Sequence, residues 1–164
     1  MRLRVISLCL LFVIFCGCSG KPESVTVNLR SISFNADIEY YNENFSCNCI
    51  TDESGNLRIN MTAPENLDGL SIAFSGDSCV MDYNGLTVDN AEHFLPENYS
   101  LAIIREALRL CDGGICEAKK HRFCYSGELD GIKFDLTVSP TGLPIVLSVP
   151  ENGLKVNFKN VTIK

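Results

Sequence analysis

The chain has little of what several protein classes depend on. Its 164 residues include only two histidines, and 14 basic side chains stand against 20 acidic ones, a net charge of −6. This balance argues against a general nucleic-acid binder, which needs a basic face. Twelve glycines and six prolines are too few for a collagen-like or low-complexity chain.

Catalytic signatures are also missing from the sequence. It contains no GxSxG elbow, no HExxH pair and no glycine-rich phosphate loop. A serine or cysteine nucleophile needs a base within hydrogen-bond reach, and only His93 and His121 offer an imidazole. We therefore expect a protein that is not an enzyme and that needs no cofactor.

The apolar run at the amino terminus is short. Val5–Phe15 spans eleven residues with only Ser7 polar, and it follows the basic residues Arg2 and Arg4. As a helix it would measure about 16 Å, well short of the roughly 30 Å hydrocarbon core of a bilayer. A basic start, a short apolar run and small residues after it predict a secretory signal peptide rather than a retained membrane helix.

The end of this run, Phe15-Cys16-Gly17-Cys18, resembles the lipobox of bacterial lipoproteins, in which a cysteine after a small residue is acylated. The resemblance implies a signal peptide over residues 1–17, a diacylglyceryl group on Cys18 and a lipidated linker over residues 18–24. The protein would then be extracytoplasmic and anchored to the bacterial cell membrane, firmly so because two or more acyl chains hold where one does not. The alternative is a plain secreted protein cut near Gly20.

The rest of the chain alternates apolar and polar residues with the period of β-strands, beginning at Val25 and most clearly over Ile32–Tyr40. One segment changes to helical spacing and is followed by Gly113-Gly114, a stop signal, which predicts a helix over Asn98–Leu110. We predict one domain over residues 25–164, mainly β (α+β), with nine to eleven antiparallel strands and one covering helix.

Two segments resemble lipoprotein carrier proteins of the LolA/LolB type. Residues 54–85 contain the proline turn Thr62–Leu67 between strands, and residues 125–158 contain Thr141-Gly142-Leu143-Pro144 before another strand. The resemblance rests on turn positions and strand phases over nearly all of residues 25–164. It implies a curved, incompletely closed antiparallel half-barrel with helical cover on its concave side, and binding of an acyl chain between the two layers.

The inward strand positions and the helical stripe together predict the lining of such a cavity. We expect it to be apolar, open at one rim and without converging titratable groups, since no histidine and few carboxylates carry the inward phase. The candidate lining residues are Leu57, Ile59, Met61, Leu101, Ile104, Leu108, Phe134, Leu136, Leu147, Val156 and Phe158.

Six cysteines lie in the predicted domain, and the sequence leaves their state open. They are buried small hydrophobes, or they form disulfides in an extracytoplasmic setting; six cysteines allow fifteen pairings. The set Cys111, Cys116, His121 and Cys124 lacks the tight CxxC pair that zinc sites favour, so we expect no metal site. The candidates for disulfides are Cys47, Cys49, Cys79, Cys111, Cys116 and Cys124.

The leading hypothesis is a membrane-anchored, non-enzymatic lipoprotein that binds an acyl chain or another apolar ligand. Its partners would be the membrane, through Cys18, and that ligand, with no nucleic acid. The alternative is a structural or protein-interaction module at the cell surface whose cavity is filled by its own side chains.

Overall fold

A computed structural model describes residues 24–93, 99–119 and 122–164. The predicted signal peptide, Cys18 and His121 lie outside these residues. One α-helix, three single-turn 3₁₀ helices and twelve strands are assigned in the described part. The helix α1 is Ser100–Cys111, and the 3₁₀ turns are Glu65–Leu67, Ala91–His93 and Pro150–Asn152. The strands are β1 (Ser24–Thr26), β2 (Ile32–Tyr40), β3 (Glu43–Thr51), β4 (Leu57–Ala63), β5 (Leu70–Ser75), β6 (Ser78–Tyr83), β7 (Leu86–Val88), β8 (Ile115–Lys119), β9 (Arg122–Leu129), β10 (Ile132–Val138), β11 (Pro144–Val149) and β12 (Leu154–Ile163).

All twelve strands belong to one antiparallel sheet with the order β1-β8-β9-β10-β11-β12-β2-β3-β4-β5-β6-β7, and β1 and β7 are its two edges. The sheet is therefore not closed into a barrel. Twelve flat strands would span about 57 Å, whereas a 12-residue helix is about 18 Å long. The inner face can be buried along the sheet only because the sheet curls round α1. The expected fold class, mainly antiparallel β with an open sheet and one helix, is confirmed.

One row of inward side chains runs across the middle of the sheet, because the strand register aligns them. Leu136 pairs with Leu147, Leu147 with Val156, and Val156 with Ile38. All four side chains are almost completely buried. A slip of one residue in any of these pairings would turn a strand's apolar side chains to water, so the pattern of alternation fixes the register.

Tight turns join neighbouring strands where the sequence supplies residues that tolerate left-handed backbone. Asn84 and Gly85, between β6 and β7, have φ values of 53° and 83°. Positive φ at both central residues is the requirement of a two-residue type I′ hairpin, as predicted for Asn-Gly.

The helix begins two residues later than predicted and ends one residue later. Its buried face consists of Ile103, Ile104, Ala107, Leu108 and Cys111. After its last turn, the N–H of Gly113 donates to the carbonyl of Val27, and the N–H of Val27 donates to the carbonyl of Gly114. The carboxyl end of α1 is thereby held against the chain that follows β1.

Candidate functional site

A cleft opens where the carboxyl-terminal half of α1 meets the β4–β5 end of the sheet. Its volume is about 140 Å³. A dry cavity of about 150 Å³ in another protein holds one benzene molecule, so this cleft admits a group of about six carbon atoms. It is open to solvent at its rim.

Four buried apolar side chains form the floor of the cleft. Leu57 opens β4 and pairs directly with Phe74 on β5, while Leu108 comes from α1 and Leu29 from the segment after β1. Each of the four is no more than 5% exposed. The floor is therefore continuous with the core rather than an isolated surface patch.

The chain bend next to Leu29 is held by a buried threonine. Thr51 donates its hydroxyl to the carbonyl of Leu29 over 2.7 Å and accepts from the N–H of Ile32 over 3.1 Å. Between these residues Ser31 has a φ of 50°, in the left-handed region. The threonine satisfies backbone groups that the bend removes from the sheet, which keeps Leu29 in place on the floor of the cleft.

Charged side chains stand around this apolar floor. Arg105 and Arg109 lie one helical turn apart on α1, so they share a face. The Arg105 guanidinium carbon lies 5.3 Å from the centroid of the Phe74 ring, a cation–π geometry, and its Nη1 donates to the carbonyl of Gly76 over 3.2 Å. These contacts fix one arginine across the mouth of the cleft.

Glu106 holds both helix arginines. Arg105 donates to its Oε1 from Nε and Nη2, and Arg109 donates from Nε to its Oε2 over 2.8 Å. Burial alone would raise the pKa of Glu106, but the hydrogen bonds from the two arginines outweigh it and hold that pKa below the ordinary value. The carboxylate is therefore charged at neutral pH.

A second ion pair lies on the other side of the cleft. Arg30 donates from Nε to Oδ2 of Asp112 over 2.6 Å, and Oδ1 of Asp112 accepts from the N–H of Leu29 over 3.1 Å. Asp112 directly follows α1, so its carboxylate links the end of the helix to Leu29 on the floor and to Arg30 at the rim.

A shallower cavity of about 300 Å³ adjoins the first and shares Asn56, Leu57 and Phe74 with it. Its other lining residues include Ile50 and Ala73 on strands β3 and β5. The rest of its lining is polar, namely Asp52, Arg58 and Ser75, so the apolar floor does not continue into it.

Of the eleven predicted cavity residues, two line the cleft: Leu57 and Leu108. Eight others are buried in the core, and Leu101 is partly buried against it. The buried eight are Ile59, Met61, Ile104, Phe134, Leu136, Leu147, Val156 and Phe158. The space between the helical stripe and the middle of the sheet is thus filled by the protein's own side chains.

The cleft has converging titratable groups, whereas the expectation of none concerned the space between the helical stripe and the sheet and stays a prediction. Arg30, Arg105, Arg109 and Asp112 all line the cleft. The prediction considered only inward strand positions, and none of these four residues lies on a strand. A pair of arginines four residues apart on the predicted helix, with Glu106 between them, was the signal that would have indicated a charged rim.

The six cysteines of the described residues carry thiols, with no disulfide in this structure. Cys47 and Cys49 face inward from β3 with their sulfurs 3.5 Å apart. Burial raises the pKa of Cys111 to about 12 and also raises that of Cys79. Since the thiolate is the reactive form, these two side chains behave as small buried hydrophobes. The disulfide pairings stay a prediction.

Within residues 24–93, 99–119 and 122–164, no cluster of three or more histidine, cysteine, aspartate or glutamate side chains is placed to hold a metal ion. In the same residues no helix has both the length and the apolar character needed to cross a bilayer.

No protein-family model matches the chain, and no curated protein matches it. Among solved structures, the chain is similar to the crystal structure of a LolA superfamily protein from Nitrosomonas europaea. The two share 9% sequence identity over 84% of this chain and 89% of the other, with a TM-score of 0.45. This is a likeness in the course of the chain, at an identity too low for comparing side chains.

Proposed function

We propose that this chain is a membrane-anchored, non-enzymatic binding module that takes the apolar chain of a lipid or a similar ligand into the cleft between α1 and the β4–β5 end of the sheet. The observation that carries the proposal is the open cleft with its buried apolar floor of Leu29, Leu57, Phe74 and Leu108. Ligand sites are typically concave, mostly apolar and edged by a few polar groups, which is the composition of this cleft.

The proposal includes an anchor at Cys18. Five residues separate Cys18 from Ser24, where β1 begins, and the six Cα-to-Cα steps between the two reach at most about 21 Å when fully extended. A protein so tethered would take up its ligand next to the membrane surface. We expect Cys18→Ser to abolish acylation and to release the protein from the membrane fraction; a variant still processed and retained there would contradict the anchor.

Binding is tested by native mass spectrometry of the full chain after mild extraction from its membrane. We expect the wild type to carry an apolar ligand. Ser54→Trp places an indole on the lining of the cleft and should remove that ligand, whereas Glu53→Trp, one residue away in the same turn and not part of the lining, should keep it. Equal ligand content in the two variants, or none in the wild type, would overturn the proposal.

A protein-interaction module is the second candidate, and the filled interior favours it. The inward side chains of Leu136, Leu147 and Val156 have no exposed surface. If the extracted wild type carries no apolar ligand but elutes with a protein partner after crosslinking in the membrane, this second function replaces the first.

A further inference from the structure

Arginines gather at the rim of the cleft although the whole chain is acidic. Three arginines, Arg30, Arg105 and Arg109, line it against one lining carboxylate, Asp112. The net charge of the protein is −6. Because Glu106 and Asp112 pair with these arginines, the rim can attract an anion through the guanidinium N–H groups that the two carboxylates leave unbonded, and not through a large net charge.

The carboxylates at the rim do not occupy all the N–H donors of these arginines. Glu106 is bound by Arg105 through Nε and Nη2 and by Arg109 through Nε. Asp112 is bound by Arg30 through Nε. Among the described residues, no hydrogen bond is made by the Nη atoms of Arg109 or by Nη2 of Arg30, while Nη1 of Arg30 reaches the Glu53 carbonyl at 3.5 Å.

These remaining donors are accessible to a ligand. The Arg109 and Arg30 side chains are 70% and 60% exposed, and both line the same cleft as the apolar floor. Asp77 is the nearby competing charge, since its field helps to raise the pKa of Arg109. A guanidinium whose Nε is already bound still presents its Nη atoms to a planar, two-oxygen acceptor.

Resting on the proposed function, we infer that the ligand is an amphiphile whose apolar chain ends in a carboxylate: the chain lies on the floor formed by Leu57, Phe74 and Leu108, and the carboxylate binds the Nη atoms of Arg109 at the rim. The length of chain inside the cleft is set by its volume of about 140 Å³. A fatty acid has this chemistry.

The test is calorimetric titration of the full chain with three probes of one chain length: octanoate, 1-octanol and octylammonium. We expect octanoate to bind at least tenfold more tightly than octanol, and octylammonium to bind most weakly. The preference for octanoate should fall with added salt, because exposed charge pairs are screened. Octanol that binds as tightly as octanoate would overturn the inference while leaving the proposed function intact.

Two arginine variants assign the preference to the rim. Arg109→Gln should lower octanoate affinity to that of octanol, whereas Arg122→Gln makes the same change of charge at the exposed start of β9 and should leave the preference for octanoate as it is. If Arg109→Gln is poorly folded by circular dichroism, Arg109→Lys, which keeps the charge but loses the pair of Nη donors, gives the same test. Octanoate affinity unaffected by the rim variants would refute the inference, and failure of all three probes to bind would refute the proposed function itself.

Discussion

The middle of the sheet and its β4–β5 end face the same helix but are filled differently. In the middle, Leu136, Leu147 and Val156 are fully buried. At the β4–β5 end, Leu57 and Phe74 are equally apolar, yet a cleft remains beside them and arginines edge it. One inward pattern of alternation thus gives a packed core in the middle of the sheet and an open cleft beside β4 and β5.

The largest effect is expected from removing volume in the packed region. The ring of Phe134 lies over Gly127, where even a Cβ would come within 2.4 Å of it. Phe134→Ala should lower the free energy of unfolding by about 3–5 kcal/mol, because a cavity remains. The neighbouring Lys133→Ala, on the exposed face, should cost under about 0.5 kcal/mol in denaturant titrations. Similar losses from the two variants would contradict the assignment of faces.

Adding one large side chain to each region makes the comparison sharper. Ala107 on α1 is completely buried, so Ala107→Trp should cost on the order of 3 kcal/mol by overpacking. Ser54→Trp puts the same indole at the open cleft and should change stability by less than about 0.5 kcal/mol. The measurement is the urea midpoint of each variant. A stable Ala107→Trp protein would mean that the interior holds a void after all.

The strand alternation made much of this architecture predictable, since it indicated the buried row and the single helix. Strand β8 was missed because its ICEAK sequence has a single buried apolar residue, Cys116, beside an exposed Ile115. The pairing of β12 with β2 joins the end of the chain to its beginning, and no local pattern encodes a partner so far away. Two of the four residues on the floor of the cleft, Leu57 and Leu108, were predicted. The charged rim was not predicted, because the residues of the rim come from the helix and from loops.

A smaller effect is expected from the carboxylate that holds the rim. The pKa of Glu106 lies below its ordinary 4.5, so its ion pairs stabilise the fold above that pH, and the contribution is lost as pH falls through the lowered pKa. Glu106→Gln should cost about 1 kcal/mol at pH 7, a modest figure because Arg109 is largely exposed. The difference in Tm from wild type should shrink as the pH falls from 7 through the lowered pKa of Glu106. A difference that stays constant over that range would contradict this; Glu151→Gln, an exposed change, is the control.

The smallest effect is expected from thiol labelling, because the buried cysteines of the packed region should hardly react under native conditions. Cys79 and Cys111 are completely buried, and burial raises the pKa of both. Under native conditions they should react with a thiol reagent only at the rate at which the protein unfolds, and Cys124, partly exposed on β9, should react first. Mass spectrometry of digests after timed labelling measures the order. Early labelling of Cys111 would show that the helix does not seal the core.

The most direct test of the account asks whether a ligand binds in the cleft or in the packed middle of the sheet. Methyl groups of the full chain, labelled with carbon-13, are followed by NMR during titration with octanoate. We predict that the methyl signals of Leu29, Leu57 and Leu108 shift and saturate together, while those of Leu136, Leu147 and Val156 stay in place. Shifts that centre on the second set would contradict the account, because they would put the ligand inside the packed middle of the sheet rather than in the cleft at its rim.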